Sequence, residues 1–343
     1  MRRFLPVALL LGGCAEVVEE HDRGCPENIR YEDFTLEDTD PAAQLEALRG
    51  VTEVVGNVSI RREVESLEAL SCLASIEGGL TIYGDVETLD GLERLESVGG
   101  LSLWSERLRD VDALSNLTTI RGSLFLEELV ALESLAGLDS VETVDGELMI
   151  RDVAAAATLT LAVGETFTGS VTTFGQSPDL TPFTTKLRRL MGDLRLEGPS
   201  VDRVDLSSLL RVDGGLTLTS SEAQRLPPLG SLERVGLDVT LTGFADESLA
   251  SLARLQAAAS LSIRSFPSLR TLDGLQALRT LSHGDGPAMG SGLELSENPQ
   301  LVEILHHVVD HLVAIALCNL RHIDLFLQHP VDIPPPHQGF LAK

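Results

Sequence analysis

The chain has 343 residues, with 26 lysines and arginines against 52 aspartates and glutamates, a formal charge of −26. So acidic a surface repels phosphate backbones, which argues against nucleic acid as a partner and leaves basic ligands and divalent cations electrostatically allowed. Aromatic residues make up only 4%, so a core must be built from Leu, Val and Ile; this length suits a repeat array, in which each unit packs only on its neighbours, better than a single ordinary globular core.

The chain opens with Met1-Arg2-Arg3, an apolar run from Phe4 to Leu11, and Gly12-Gly13-Cys14. The run is too short for a transmembrane helix and has the form of a secretory signal, residues 1–13, with small residues before the cleavage point. A cysteine so placed resembles the bacterial lipobox. That resemblance implies diacylation of the Cys14 thiol, cleavage just before it, and attachment to the membrane through the acyl chains; Ala15, where Asp would imply inner-membrane retention, points to the outer membrane. Residues 14–24 are polar and acidic and read as a tether, and residues 25–50 as an N-terminal cap, with a degenerate strand at Phe34 and Leu36 and a helical turn over Gln44 to Arg49.

From residue 51 one phrase recurs: apolar, two residues, apolar, one residue, Gly, one residue, apolar, one residue, apolar. It reads Val51, Val54, Gly56, Val58, Ile60, then Leu73, Ile76, Gly78, Leu80, Ile82, then, one residue shorter, Leu95, Val98, Gly99, Leu101, Leu103. Further copies carry Gly122, Gly146, Gly169, Gly192 and Gly214 at the same place. The first apolar residue after this place falls at Val58, Leu80, Leu101, Leu124, Leu148, Val171, Leu194, Leu216, Val239, Leu261 and Leu293, in steps of 21 to 24 residues except the last. The last step holds a Gly-rich loop over 284–292. Apolar-x-apolar is a short strand with one face inward. The glycine allows a tight bend or close backbone approach. Leu89, Leu92 and Leu95, or Leu132, Leu135 and Leu138, give the return leg a threefold spacing that suits a 3₁₀-like turn. Residues 51–301 are therefore predicted to wind as a β-solenoid in coils of about 22–23 residues, with parallel strands about 4.8 Å apart.

These units resemble the receptor L-domain group of leucine-rich-repeat-like β-helices, on the strength of the Leu-x-x-Ile-x-Gly-x-Leu-x-Ile phrase. Leu293-x-Leu295-x-x-Asn298-x-x-Leu301 also matches the leucine-rich-repeat strand, where Asn298 would bond to neighbouring backbone. The resemblance implies a right-handed solenoid. It also implies the company of exported proteins: in animal receptors such domains bind protein ligands, and in bacteria they occur on lipoproteins.

Residues 302–329 are either a last coil, with a strand at Ile315 and Leu317, or a capping helix over Leu301–Leu317; residues 330–343, with Pro334-Pro335-Pro336, are an extended tail. Export permits a disulfide, and Cys25 with Cys72 would tie cap to second coil; free, partly buried thiols are the alternative. Cys318 reads as a small buried apolar residue.

His307 and His311 would share a face of a helix and are the nearest approach to a metal pair, but Asp310 stands where the inverted zinc-protease motif has Glu and no third ligand is placed. No metal, cofactor or catalytic residue is therefore expected. No Gly-x-Ser-x-Gly elbow or phosphate-binding Gly-Lys-Ser loop occurs. The expected function is a non-catalytic module at the cell envelope that binds a protein or glycan ligand. The alternatives are a structural envelope lipoprotein without a specific ligand and, more remotely, a polysaccharide-acting β-helix enzyme.

Overall fold

A computed structural model describes residues 24–36, 41–61, 64, 66–222, 224–281, 292–301 and 324–325. They form a β-solenoid of about eleven turns with little helix. The repeated apolar residues stand in one file: Leu80 pairs with Leu101, Leu101 with Leu124, Leu124 with Leu148, then Val171, Leu194, Leu216, Val239, Leu261 and Leu293 in turn, all in parallel register. All are buried. Every strand of this main sheet presents a second inward residue two places on, such as Ile82, Leu103 and Leu126, because side chains alternate across a strand. Val171–Phe174 keeps the phase through the least regular stretch, with Thr173 buried in an aliphatic's place.

A second file of strands runs beside the first, and the phrase alone did not reveal it. Two-residue strands occur at Ile29–Arg30, Glu53–Val54, Thr119–Ile120 and Thr143–Val144, paired with each other and with the first halves of Ser75–Tyr83 and Ser97–Trp104. They resume as a separate six-stranded sheet from Thr166–Phe167 to Thr280–Leu281. The first apolar pair of the phrase explains them: Val54, Ile76, Val98 and Ile120 are the inward residues of these strands, and all are fully buried. Winding also begins before the phrase does. Ile29–Arg30 pairs with Glu53–Val54, and Phe34–Thr35 pairs with Val58 and Ser59, so residues read as a cap already carry a coil.

The glycines sit at the corner between the two files, where successive coils touch main chain to main chain. A Cβ at Gly78 would lie 2.5 Å from the Gly56 carbonyl oxygen, and one at Gly192 2.5 Å from that of Gly169. The Gly192 N–H donates to the Gly169 carbonyl at 3.1 Å, and Gly214 to Gly192 at 3.1 Å. Close approach, not an unusual φ, is what these positions require.

A left-handed corner follows the main strand. Gly84, Gly175, Gly198 and Gly243 have positive φ there, and so do Glu128, Asp152, Ser265 and Glu297. L-residues meet a steric cost of roughly 1–2 kcal/mol in this region. Glu128→Gly is therefore expected to raise stability by about 1 kcal/mol, read as a higher urea midpoint at unchanged slope; an unchanged or lower midpoint would mean the corner is relaxed.

The return legs contain 3₁₀ turns at Glu68–Leu70, Asp112–Leu114, Ala136–Leu138, Val201–Arg203 and Ala250–Leu252. Asn298 bonds neighbouring backbone on both sides: its Nδ2 donates to the Ile263 carbonyl, and its Oδ1 accepts from Phe266 N–H, each at 3.1 Å. Cys25 and Cys72 are joined by a disulfide, with Cα atoms 5.5 Å apart. Asp324–Leu325 pairs with Leu293–Ser296, with Leu295 opposite Leu325. From Leu295 to its partner Leu325 the step is about thirty residues, close to that between Leu261 and Leu293. Ile315, Leu317 and Cys318 lie outside the described residues.

Candidate functional site: the outward face of the main sheet

Strand alternation that turns Leu80 and Ile82 inward turns Thr81 and Tyr83 outward. The same positions on the next coils hold Ser102 and Trp104, Phe125 and Glu127, Met149 and Arg151, Thr172 and Phe174, and Arg195 and Glu197. A chain so poor in aromatics places its only tryptophan, one of its two tyrosines and two phenylalanines on this one face. Tyr83 and Trp104 are opposite each other in register and stack at 4.1 Å between ring centroids, 13° from parallel. Tyr83 is 50% exposed, while Trp104, Phe125, Met149 and Phe174 are half-buried against their neighbours. Contiguous apolar side chains outside a core mark an interaction surface more often than isolated ones do.

Two of the cations on this face are engaged, while Arg61, on the coil before Tyr83, is exposed and forms no ion pair among the described residues. Arg151 pairs with Glu127 across adjacent coils. Arg195 lies over the Phe174 ring, 5.1 Å from its centroid, and bonds to Glu197 at 2.6 Å. Beyond the strand, the edge of the face carries Asp85, Glu106, Glu128 and Asp152 on successive coils. None of the four forms an ion pair among the described residues, and Asp152 accepts only a backbone bond, from Gln176 N–H at 3.3 Å.

The second file has a different exterior. Arg189, Arg211 and Arg234 are in register there. Arg189, at 2.6 Å, and Arg211 share Asp213. Partial desolvation opposes the ionised form of Asp213, yet the two guanidiniums hold its carboxyl below the usual aspartate value.

A cleft of about 370 Å³ is lined by Glu87, Glu106, Glu133, Arg107 and Arg109. Glu87 pairs with Arg107, and Glu133 with Arg109 at 3.7 Å. Glu106, which faces the same arginines, forms no ion pair among the described residues, so the cleft does not present the two free carboxyl groups that glycoside hydrolysis commonly uses. No group of three His, Cys, Asp or Glu side chains among the described residues is placed to hold a metal ion. Cys14, His307 and His311 lie outside the described residues.

The aromatic face could have been found from the phrase. Once Leu80, Leu101, Leu124, Leu148 and Val171 are taken as inward, the residues one and three places on must point outward. Reading only those positions collects Trp104, Phe125, Met149 and Phe174.

No protein-family model matches the chain, and neither a curated protein nor a solved structure matches it.

Proposed function

We propose that the chain is an exported, lipid-anchored, non-catalytic binding module of a bacterial cell envelope, and that it engages its ligand with the outward face of the main sheet. The observation that carries this reading is the run of Tyr83, Trp104, Phe125, Met149 and Phe174, one outward residue on each of five successive coils, spread over two adjacent rows of the face. The pattern from Met1 to Cys14 supports export and anchoring, and the repeated phrase supports kinship with receptor L-domains. A spacer without a ligand has no use for half-exposed aromatic side chains on one face, so this reading is preferred to a purely structural envelope role.

The test is capture from native envelopes with the intact chain and with Tyr83→Ala/Trp104→Ala. The expected outcome is a partner that the intact chain retains and the variant loses, with unchanged circular dichroism. Equal recovery by both proteins would count against the face. Export and anchoring are tested separately: labelled palmitate should enter the intact chain and not Cys14→Ala, and equal labelling of the two would refute attachment at Cys14.

A further inference from the structure

Resting on that reading, we infer that the face binds a basic polypeptide segment that also carries apolar side chains. Three features of the face select this chemistry. First, each of five successive coils gives it one aromatic or apolar side chain, in two adjacent rows, a span of about 19 Å at the strand spacing, which matches some six residues of extended chain. Second, the edge beside Tyr83 and Trp104 carries Asp85, Glu106, Glu128 and Asp152, none of which forms an ion pair among the described residues, while Arg151 and Arg195 of the sheet face are neutralised by Glu127 and Glu197. A basic side chain arriving at this edge meets carboxylates not held in ion pairs; an acidic one meets repulsion, reinforced by the −26 charge of the whole chain. Third, Tyr83 and Trp104 cover each other's facing sides. Those two facing sides are closed to a saccharide ring, and the outer faces, the ring edges and the neighbouring Phe125 and Met149 remain for side-chain contact.

Alternative cations and neutral ligands fit less well. A polyamine would use the acidic edge and leave the apolar centre unsatisfied. A neutral glycan could use the four carboxylates as hydrogen-bond acceptors but carries no charge to complement theirs. Basic residues interleaved with apolar ones complement both parts together, with charge steering the encounter and apolar contact setting the lifetime.

Trp104 is the chain's only tryptophan, so its fluorescence reports on the face directly. The full-length protein, in detergent, would be titrated with four tryptophan-free probes: an alternating Lys-Leu/Arg-Leu dodecapeptide, its Glu-Leu counterpart, spermine and chitohexaose. The basic peptide is expected to shift Trp104 emission saturably. Its affinity should fall by about tenfold or more in Asp85→Asn/Glu106→Gln/Glu128→Gln, and again on raising salt from about 0.05 to 0.3 M. Glu106→Gln alone should show a smaller loss in the same direction; as an exposed change it also serves if the triple variant fails to fold. The inference is overturned if the acidic peptide or chitohexaose binds as tightly, if spermine matches the basic peptide, if the carboxylate variants bind unchanged, or if no probe shifts the emission. A partner that is lost with Tyr83→Ala/Trp104→Ala but indifferent to the carboxylate variants would leave the binding face standing and remove the basic partner alone.

Discussion

Leu216→Asp is expected to unfold the middle of the solenoid, whereas Thr217→Asp, one residue on, should be nearly silent. Leu216 is fully buried between Leu194 and Val239. Losing its side chain forfeits about 1.5–3 kcal/mol of burial. Placing a carboxyl group there adds several kcal/mol more, whether it stays ionised without a partner or is forced to take up a proton. The total rivals the net stability of an ordinary domain, about 5–15 kcal/mol. Thr217 lies outward between Arg195 and Thr240, and surface changes of this kind usually move stability by no more than about 0.5 kcal/mol. Urea denaturation followed by circular dichroism measures both. Comparable midpoints for the two variants would mean that Leu216 does not belong to a packed interior.

The second large effect concerns the Cys25–Cys72 bond, which closes a loop with a sequence separation of 47 residues. On the chain-entropy estimate, a loop of that size contributes about 4 kcal/mol. Because each coil contacts only its neighbours, the loss in Cys25→Ser/Cys72→Ser should concentrate in the first coils. Hydrogen exchange is expected to quicken by orders of magnitude around Ile29–Arg30, Phe34–Thr35 and Glu53–Val54, and to change little at Leu216–Thr219. Uniform acceleration along the chain would show that the solenoid unfolds as one unit; no acceleration would show that the first coils hold without the bond.

How much of this was legible follows from how each feature is encoded. The main file of strands could be read because its inward residues are large aliphatics at a steady interval and nothing polar can replace them without loss. The second file could not be read as strands, since each has a single inward residue, such as Val54 or Ile120, and one buried residue carries no alternation. The left-handed corner stayed hidden because Glu128, Asp152, Ser265 and Glu297 occupy positions where glycine would have announced it. The aromatic face was encoded by position and not by period: outward residues are free to vary, so no repeat marks them, and only the register fixed by the inward leucines brings them together.

The glycine corner bears on how such a chain can grow. Where Gly78 meets Gly56 and Gly192 meets Gly169, backbone meets backbone with the short polar side chains of Asn57 and Ser170 alongside, so most of the contact is common to both turns. A duplicated stretch from Leu101 to Ser123, one complete lap of the winding, would find an acceptable seat on either neighbour. A duplication of half that length would bring a side chain to the seam and put the following leucines on the wrong side. Lengthening by whole laps is thus the route this architecture leaves open to tandem duplication.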